Sequence, residues 1–418
     1  MNKFESLVYN AVKNNPIIKL MLRNAYQGVF DILPNRKDYS INPIVAKEGF
    51  FFGFHDLNPF HTNDSLLLAN RYLIPKRMPN PGEELEVGYF NKNDFWSEFK
   101  PLARTKAWNY HKGCRLQWLD NESVIFNDRE SNRFVSRIYH QNGEFLKTLD
   151  YPIDSCSQDG RMASSFSYER LEELMGGYGY PYADGEAFLE EYFPKQTGLF
   201  TIDIGANTRE LLVSIEELKT IGEVPRYVSE QTHFVTHTLF SPDGRYLAFL
   251  HRSVKREAAL KRWSRLLVYD LKKGECHAAP TDDMVSHYVW NEKNQIIAYC
   301  RLEGVDSHIL FESPTMEKYR RVAYPRLNSD GHQSFASDTI FVTDTYPDKW
   351  RMAKLYLVDT KTNEVQYLAS LNSLKSFQSI MGQHWACDLH PRMNHTGNMV
   401  CFDSVHTGKR ALCLMPLS

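Results

Sequence analysis

The feature that most constrains this chain is a repeat. From about residue 49 onward it runs as short stretches rich in Val, Ile, Phe and Tyr, split by Gly, Asp and Asn turns. About seven such groups begin near Gly49, Trp108, Arg161, His233, His287, Asp330 and His384. The last four starts are 54, 43 and 54 residues apart, the scale of one four-stranded propeller blade. In a closed ring each sheet is covered by its neighbours, so no strand pair needs a long apolar run. The expectation is an all-β, seven-bladed β-propeller over residues 49–418, preceded by a short helical extension over residues 1–48. Two insertions interrupt the pattern. Tyr168–Gln196 is Gly- and Tyr-rich and reads as helical over Glu169–Met175, and the basic stretch Ser253–Arg262 also reads as helical.

Three groups share one form, a polar loop carrying a His ahead of a strand, a turn and a second strand. His237 opens the run Thr238-Leu239-Phe240-Ser241-Pro242-Asp243-Gly244 ahead of Tyr246–His251 and Leu266–Asp270. Ser329-Asp330-Gly331-His332-Gln333-Ser334-Phe335 precedes Thr339–Thr345 and Lys354–Asp359. Cys387-Asp388-Leu389-His390-Pro391 precedes Met399–Asp403 and Arg410–Met415. Loops entering the innermost strands of a propeller converge on one face near the central channel. Placed there, His237, His332 and His390 point at one another, which makes them a candidate site.

Charge narrows the function classes. With 49 basic and 51 acidic residues the chain has no global field that would draw nucleic acid, although a local basic cleft for a sugar acid stays open. The aromatic content of 13% suits strand cores and equally suits stacking against flat sugar faces. Seven cysteines without framework spacing read as free thiols in a reducing compartment. Residues 1–34 lack the apolar run and cleavage site of a secretory signal, and no later stretch reaches membrane-spanning length, so a cytoplasmic protein is expected. Leu7, Val8, Ala11 and Val12, then Ile17, Ile18, Leu20, Met21 and Leu22, suggest two short helices broken near Asn14-Asn15-Pro16. With Lys3, Lys13, Lys19 and Arg23 the segment reads two ways: it packs against the main domain, or it makes peripheral contact with the inner face of a membrane. No P-loop, dinucleotide-binding glycine motif or zinc-finger spacing is present.

The segments Asp330-Gly331-His332 with Ser334-Phe335, Thr343-Asp344-Thr345-Tyr346-Pro347, Cys387-Asp388-Leu389-His390-Pro391-Arg392 and Cys401-Phe402-Asp403-Ser404 resemble the propeller polysaccharide lyases. These are the oligogalacturonate lyases and, more closely, the ulvan lyase-like enzymes. His237 with Ser241-Pro242-Asp243-Gly244 and His251-Arg252 is similar to their middle blade. The resemblance covers roughly residues 230–418 strongly, residues 49–230 weakly, and not residues 1–48. It implies a seven-bladed propeller, a bound divalent metal and β-elimination at a uronic acid. It places metal ligands at His332 and His390, with His237 as a third. The oligogalacturonate type carries another His beside the position of His390; here Cys387 and Asp388 stand there. Cys would favour zinc, whereas a set of His, carboxylate and amide (Asp388, Gln333, Gln383) would also suit manganese, so Zn2+ and Mn2+ both remain open.

Elimination at a uronate needs its carboxylate neutralised, a base for the C5 proton and an acid for the leaving O4. His55 in Gly53-Phe54-His55-Asp56 and His111 in Trp108-Asn109-Tyr110-His111-Lys112-Gly113 are candidates for proton transfer. Arg252 is the candidate for carboxylate binding and Tyr178 for the acid. Trp108, Tyr168, Tyr180 and Arg392 complete the expected substrate contacts, with the tyrosines in an insertion that would fold over the face as a lid. His55 also reads as a turn residue, Tyr168 as a helix start and Arg252 as a structural ion-pair partner. The leading expectation is therefore a metal-assisted lyase acting on an acidic oligo- or polysaccharide. The alternatives are a surface-polysaccharide assembly enzyme such as a glycosyltransferase, and a non-catalytic glycan-binding propeller.

Overall fold

Seven antiparallel sheets follow one another along the chain in a computed structural model that describes residues 16–33, 36–181, 186–258, 261–378 and 385–417. The chain is a seven-bladed β-propeller. Blade 1 spans Phe50–Phe51 to Phe99–Thr105, blade 2 spans Gln117–Trp118 to Phe145–Leu149, and blade 3 has strands Met162–Ser165, Gly198–Asp203 and Thr208–Ser214. Blade 4 runs from Thr232–Phe240 to Glu275–Ala278 and blade 5 from Val285–Trp290 to Tyr319–Val322. Blade 6 runs from Ser334–Phe335 to Val365–Asn372 and takes Tyr39–Ser40 as a fifth strand. Blade 7 joins Arg392–Met393, Met399–Ser404 and Ala411–Pro416 to Val45–Glu48, which pairs in the register Val45↔Leu414 to Glu48↔Ala411. The ring is thus closed by pairing an early strand with the last one. Residues 39–48, expected as part of the extension, belong to the propeller.

Sandwiched sheets explain the sequence pattern. The second strand of blade 1, Leu66–Tyr72, is buried on both faces for its first five residues, as strands covered on two sides must be. Apolar layers run between neighbouring blades: Phe51, Leu68 and Val87 of blade 1 pack with Val124 and Phe126 of blade 2 and with Cys401 and Leu412 of blade 7. Each fully buried Leu or Phe there contributes roughly 2 kcal/mol. The seven cysteines are free thiols.

Three expectations need correction. The strands expected to come first after His237, His332 and His390 are the second strands of their sheets. An innermost strand precedes each, and His237 lies within one, Thr232–Phe240, at a break in register between Thr236 and Leu239. The β pairing of that blade extends too far for a helix over Ser253–Arg262: Val254 pairs with Arg262, and a 3-10 turn, Arg256–Ala258, sits between them. The N-terminal helix α1, Pro16–Phe30, continues past Leu22. The helix expected over Leu7–Val12, the blade start at His384 and the candidate ligand Gln383 lie outside the described residues. In the insertion, helix α2 spans Tyr168–Leu174, where Ser167 caps the first turn by accepting the Arg170 N–H at 3.0 Å. No helix among the described residues is long and apolar enough to cross a membrane.

Candidate functional site

The innermost segment of every blade delivers polar side chains to one end of the central channel. Blade 1 supplies His55, blade 2 His111, Lys112 and Arg115, and blade 3 Asp154, whose segment is tied to Met162–Ser165 through the Asp154 N–H to Ser164 O bond of 2.7 Å. His237, His287 and His332 come from blades 4 to 6, and blade 7 supplies Asp388 and His390. Phe54, 3% exposed, packs against the histidines of this group. Its ring lies 4.7 Å from His55, 4.8 Å from His237, 5.1 Å from His390, 5.8 Å from His287 and 5.9 Å from His332.

Beneath Phe54 lies a buried ion network. Lys112 Nζ donates to Asp154 Oδ1 at 2.6 Å, and Arg115 pairs with both Asp56 oxygens at 2.9 and 3.0 Å. Arg115 Nε also donates to Asp154 O at 2.7 Å, and Asp154 Oδ2 accepts the N–H and hydroxyl of Thr238 at 2.8 and 2.9 Å. Two buried cations and two carboxylates therefore balance across blades 1 to 4. From the other side Arg392 Nη1 donates to Gly53 O at 2.7 Å, while Asp403 accepts the N–H groups of Phe52 and Gly53 at 3.0 Å each. These contacts fix the Phe54-His55 segment.

His332, Asp388 and His390 each present one ligand atom, and the three atoms lie within 4.8 Å of one another. Asp344, on the second strand of blade 6, stands behind them. Its carboxylate accepts the His332 and His390 backbone N–H groups at 2.7 and 3.0 Å and His332 Nδ1–H at 2.9 Å. A carboxylate on Nδ1 leaves the Nε2 lone pair of His332 for a ligand, the arrangement that orients metal-binding histidines. His390 Nε2 is buried without a hydrogen-bond partner among the described residues, and so is His55 Nε2. The His55 tautomer is dictated by Gln333 O, 2.6 Å from Nδ1, since a carbonyl only accepts. Burial, reinforced by neighbouring histidines, pushes the pKa values of His55, His332 and His390 well below the usual imidazole range and keeps them neutral, as metal binding requires. Burial pushes the carboxyls of Asp344 and Asp388 up to about 7. The donor set fits a divalent cation. Cys387 is not in it: its buried thiol, pushed up to about 12 by burial, contacts Asp388 O at 3.8 Å. Without a thiolate the set lacks the soft ligand that would exclude manganese, and imidazole with carboxylate accommodates either ion.

His237 is also outside this set. Its Nδ1 is 2.9 Å from Thr236 Oγ1, and its ring faces Phe54 and Tyr178, the latter at 6.1 Å. Tyr178 stacks on His111 with centroids 4.6 Å apart and planes 5° apart, and burial pushes its hydroxyl up to about 12. Arg252 is 7% exposed and donates to Ser286 O at 3.1 Å, beside His287. Its Nε has no partner among the described residues, and no carboxylate there pairs with it. Burial and then Arg262 lower it to about 10, so it remains cationic. The four expected substrate contacts are placed elsewhere. Trp108 is fully buried with its Nε1–H on Glu83 O, and Tyr168 and Tyr180 are fully buried and stacked on each other at 4.5 Å, behind the site. Arg392, 1% exposed, is spent on Gly53 and Asp403. These four hold the site up and do not face it.

The candidate set drawn from the sequence left out several neighbours. His287 is 4.1 Å from His332 by ring centroids and 3.1 Å from Asp330 Oδ1 through its Nδ1. Tyr346, 42% exposed, sets its ring edge-on to His332 at 5.7 Å, at the open mouth. Arg23 of helix α1 is within electrostatic reach of Asp388, so the helix stands at the rim.

No protein-family model matches the chain, and no curated protein matches it. Solved structures similar to it include an oligogalacturonate lyase in complex with manganese, at 12% identity and a TM-score of 0.42, covering 90% of this chain and 99% of that one. An oligogalacturonate lyase from Vibrio parahaemolyticus is similar at 13% identity and TM-score 0.44, covering 91% and 93%. TolB from Acinetobacter baumannii is similar at 12% identity and TM-score 0.41, covering 84% and 80%. At these identities the likeness is one of fold, and the chemistry of the site rests on this chain's own residues.

Proposed function

We propose that the protein is a lyase-like enzyme that cleaves an acidic oligo- or polysaccharide by metal-assisted β-elimination at a uronic acid. One observation carries the reading: the ligand atoms of His332, His390 and Asp388 converge within 4.8 Å, and His390 Nε2 is buried there without a partner among the described residues. His332, His390 and Asp388 would hold a divalent cation, zinc or manganese, whose Lewis acidity stabilises charge on the substrate carboxylate. Arg252, cationic and without a carboxylate partner, binds that carboxylate. His55 Nε2 takes the C5 proton, the C4–C5 double bond forms, and the C4–O4 bond breaks. The leaving O4 receives its proton from Tyr178, whose raised pKa keeps it protonated and whose ring plane is set by His111. Asp344 and Gln333 O act by orienting the imidazoles.

Two measurements on tag-free protein test this. Elemental analysis is expected to find near-stoichiometric zinc or manganese in the wild type and none in His332→Ala/His390→Ala. Ultraviolet absorbance is expected to report an unsaturated uronate from acidic oligosaccharides, lost in His55→Ala with metal content unchanged. A folded wild type that binds no added zinc or manganese would overturn the metal-assisted reading. Full elimination by His55→Ala would remove His55 as the base.

A further inference from the structure

Helix α1 turns its apolar face outward. Its inner face is polar: Gln27, 2% exposed, donates to Asp348 O at 2.9 Å, and Asp31, just past the helix, pairs with Arg351 at 2.7 and 2.9 Å. Phe30 meets Trp350 edge-on at 4.5 Å. At 100° per residue, Ile18, Leu22, Ala25 and Val29 align on the side opposite Gln27, flanked by Met21 and Tyr26. The large apolar side chains among them stand 44% (Ile18), 66% (Met21), 43% (Leu22), 41% (Tyr26) and 63% (Val29) exposed, and the stripe continues through Ile32 at 85%. A continuous apolar stripe fixed outward by polar anchors behind it is an interaction surface.

Charge selects its occupant. The helix contains no acidic residue, its Arg23 lies on the inner side within reach of Asp388, and Asp31 is committed to Arg351 and Lys375. Lys349 Nζ lies 5.3 Å from the Phe30 ring and 5.7 Å from the Tyr26 ring, and Arg36 lies 4.6 Å over Trp350. A second copy docking face to face would set these cations against themselves. We propose that helix α1 docks the protein on an anionic phospholipid surface, with the stripe at the acyl boundary and the flanking cations among the headgroups. This surface stands whether or not the elimination chemistry does.

Vesicle sedimentation with the full chain tests it, using phosphatidylcholine alone or with roughly 30 mol% phosphatidylglycerol. The wild type is expected to bind the anionic vesicles, lose most of that binding at about 0.5 M NaCl, and bind neutral vesicles far less. Met21→Glu/Val29→Glu alters only exposed positions, so its melting temperature is expected to match the wild type while its partitioning falls about tenfold. A wild type that stays in the supernatant with anionic vesicles overturns the proposal. So does a double variant that binds undiminished, or equal binding to neutral vesicles. A wild-type dimer that the double variant splits, with no vesicle binding by either, assigns the stripe to a second copy instead.

Discussion

At the scale of single residues, the candidate centre depends on a side chain outside the candidate ligand set. Asp344 collects two backbone N–H groups and the His332 Nδ1–H, so it sets both the loop geometry and the tautomer of one ligand. Asp344→Asn keeps the shape and presents an amide N–H to donors, so metal affinity is expected to fall about 10- to 100-fold in a protein that still folds, as isothermal titration would show. Gly331 makes the arrangement possible, since a Cβ there would stand 2.0 Å from Asp344 O. His332 and His390 were legible as candidates because their loops repeat a pattern, and Asp388 only through the likeness to the propeller lyases. Asp344 was not, because on a strand it looks like any alternate residue until pairing sets it behind His332. Trp108, Tyr168 and Tyr180 misled for a related reason: aromatic rings serve strand cores and sugar faces alike, and only burial separates the two uses. The backbone adds its own signature, with positive φ of 54° at His237 and 43° at His390, a region sparsely used by residues other than Gly.

At the scale of elements, buried charge decides what the insertion and the channel tolerate. Helix α2 carries Glu172, whose Oε2 accepts the Gly177 N–H at 2.9 Å and whose carboxyl is nevertheless pushed up to about 7 by burial. The folded protein therefore holds a proton there that the unfolded chain has released, and stability falls as pH rises from the ordinary Glu range through about 7. Glu172→Gln keeps an acceptor and removes that charge. It is expected to leave the melting temperature unchanged at about pH 5 and to raise stability by roughly 2 kcal/mol at about pH 8. The network under Phe54 responds in the opposite sense. Asp154→Asn strips Lys112 and Arg115 of a shared counterion in a site without solvent, so a loss of about 3–5 kcal/mol in denaturant unfolding is expected. Helix α2 was read from the sequence over Glu169–Met175, within a residue of its observed end at Leu174. The basic stretch after Ser253 was misread, because a hairpin tip rich in Lys, Arg and Ala shares its composition with a helix, and pairing of Val254 with Arg262 decides between them.

At the scale of the whole molecule, seven sheets make a ring only if the ends meet, and here four residues do that work. The repeat spacing announced the blades, but a four-residue strand far from its partner carries no such spacing, so Val45–Glu48 was assigned to the extension. In the folded ring the Gly49 N–H donates to Arg410 O at 2.9 Å, and the two-residue period of an antiparallel ladder makes Lys47 the next donor toward blade 7, opposite Leu412. Ala46 packs beside the apolar layer of Leu355, Val400 and Cys413. Lys47→Pro removes that donor and crowds the neighbouring strand, a change expected to cost about 1–3 kcal/mol. Because blade 7 also carries Asp388 and His390, the loss is not confined to the seam. Thermal unfolding of Lys47→Pro is expected at a lower temperature, with metal binding weakened in parallel. A surface change of equal charge, such as Lys361→Gln on blade 6, is expected to leave both untouched. If Lys47→Pro melted like the wild type, the closing strand would be an ornament on a ring already held shut by its inner segments.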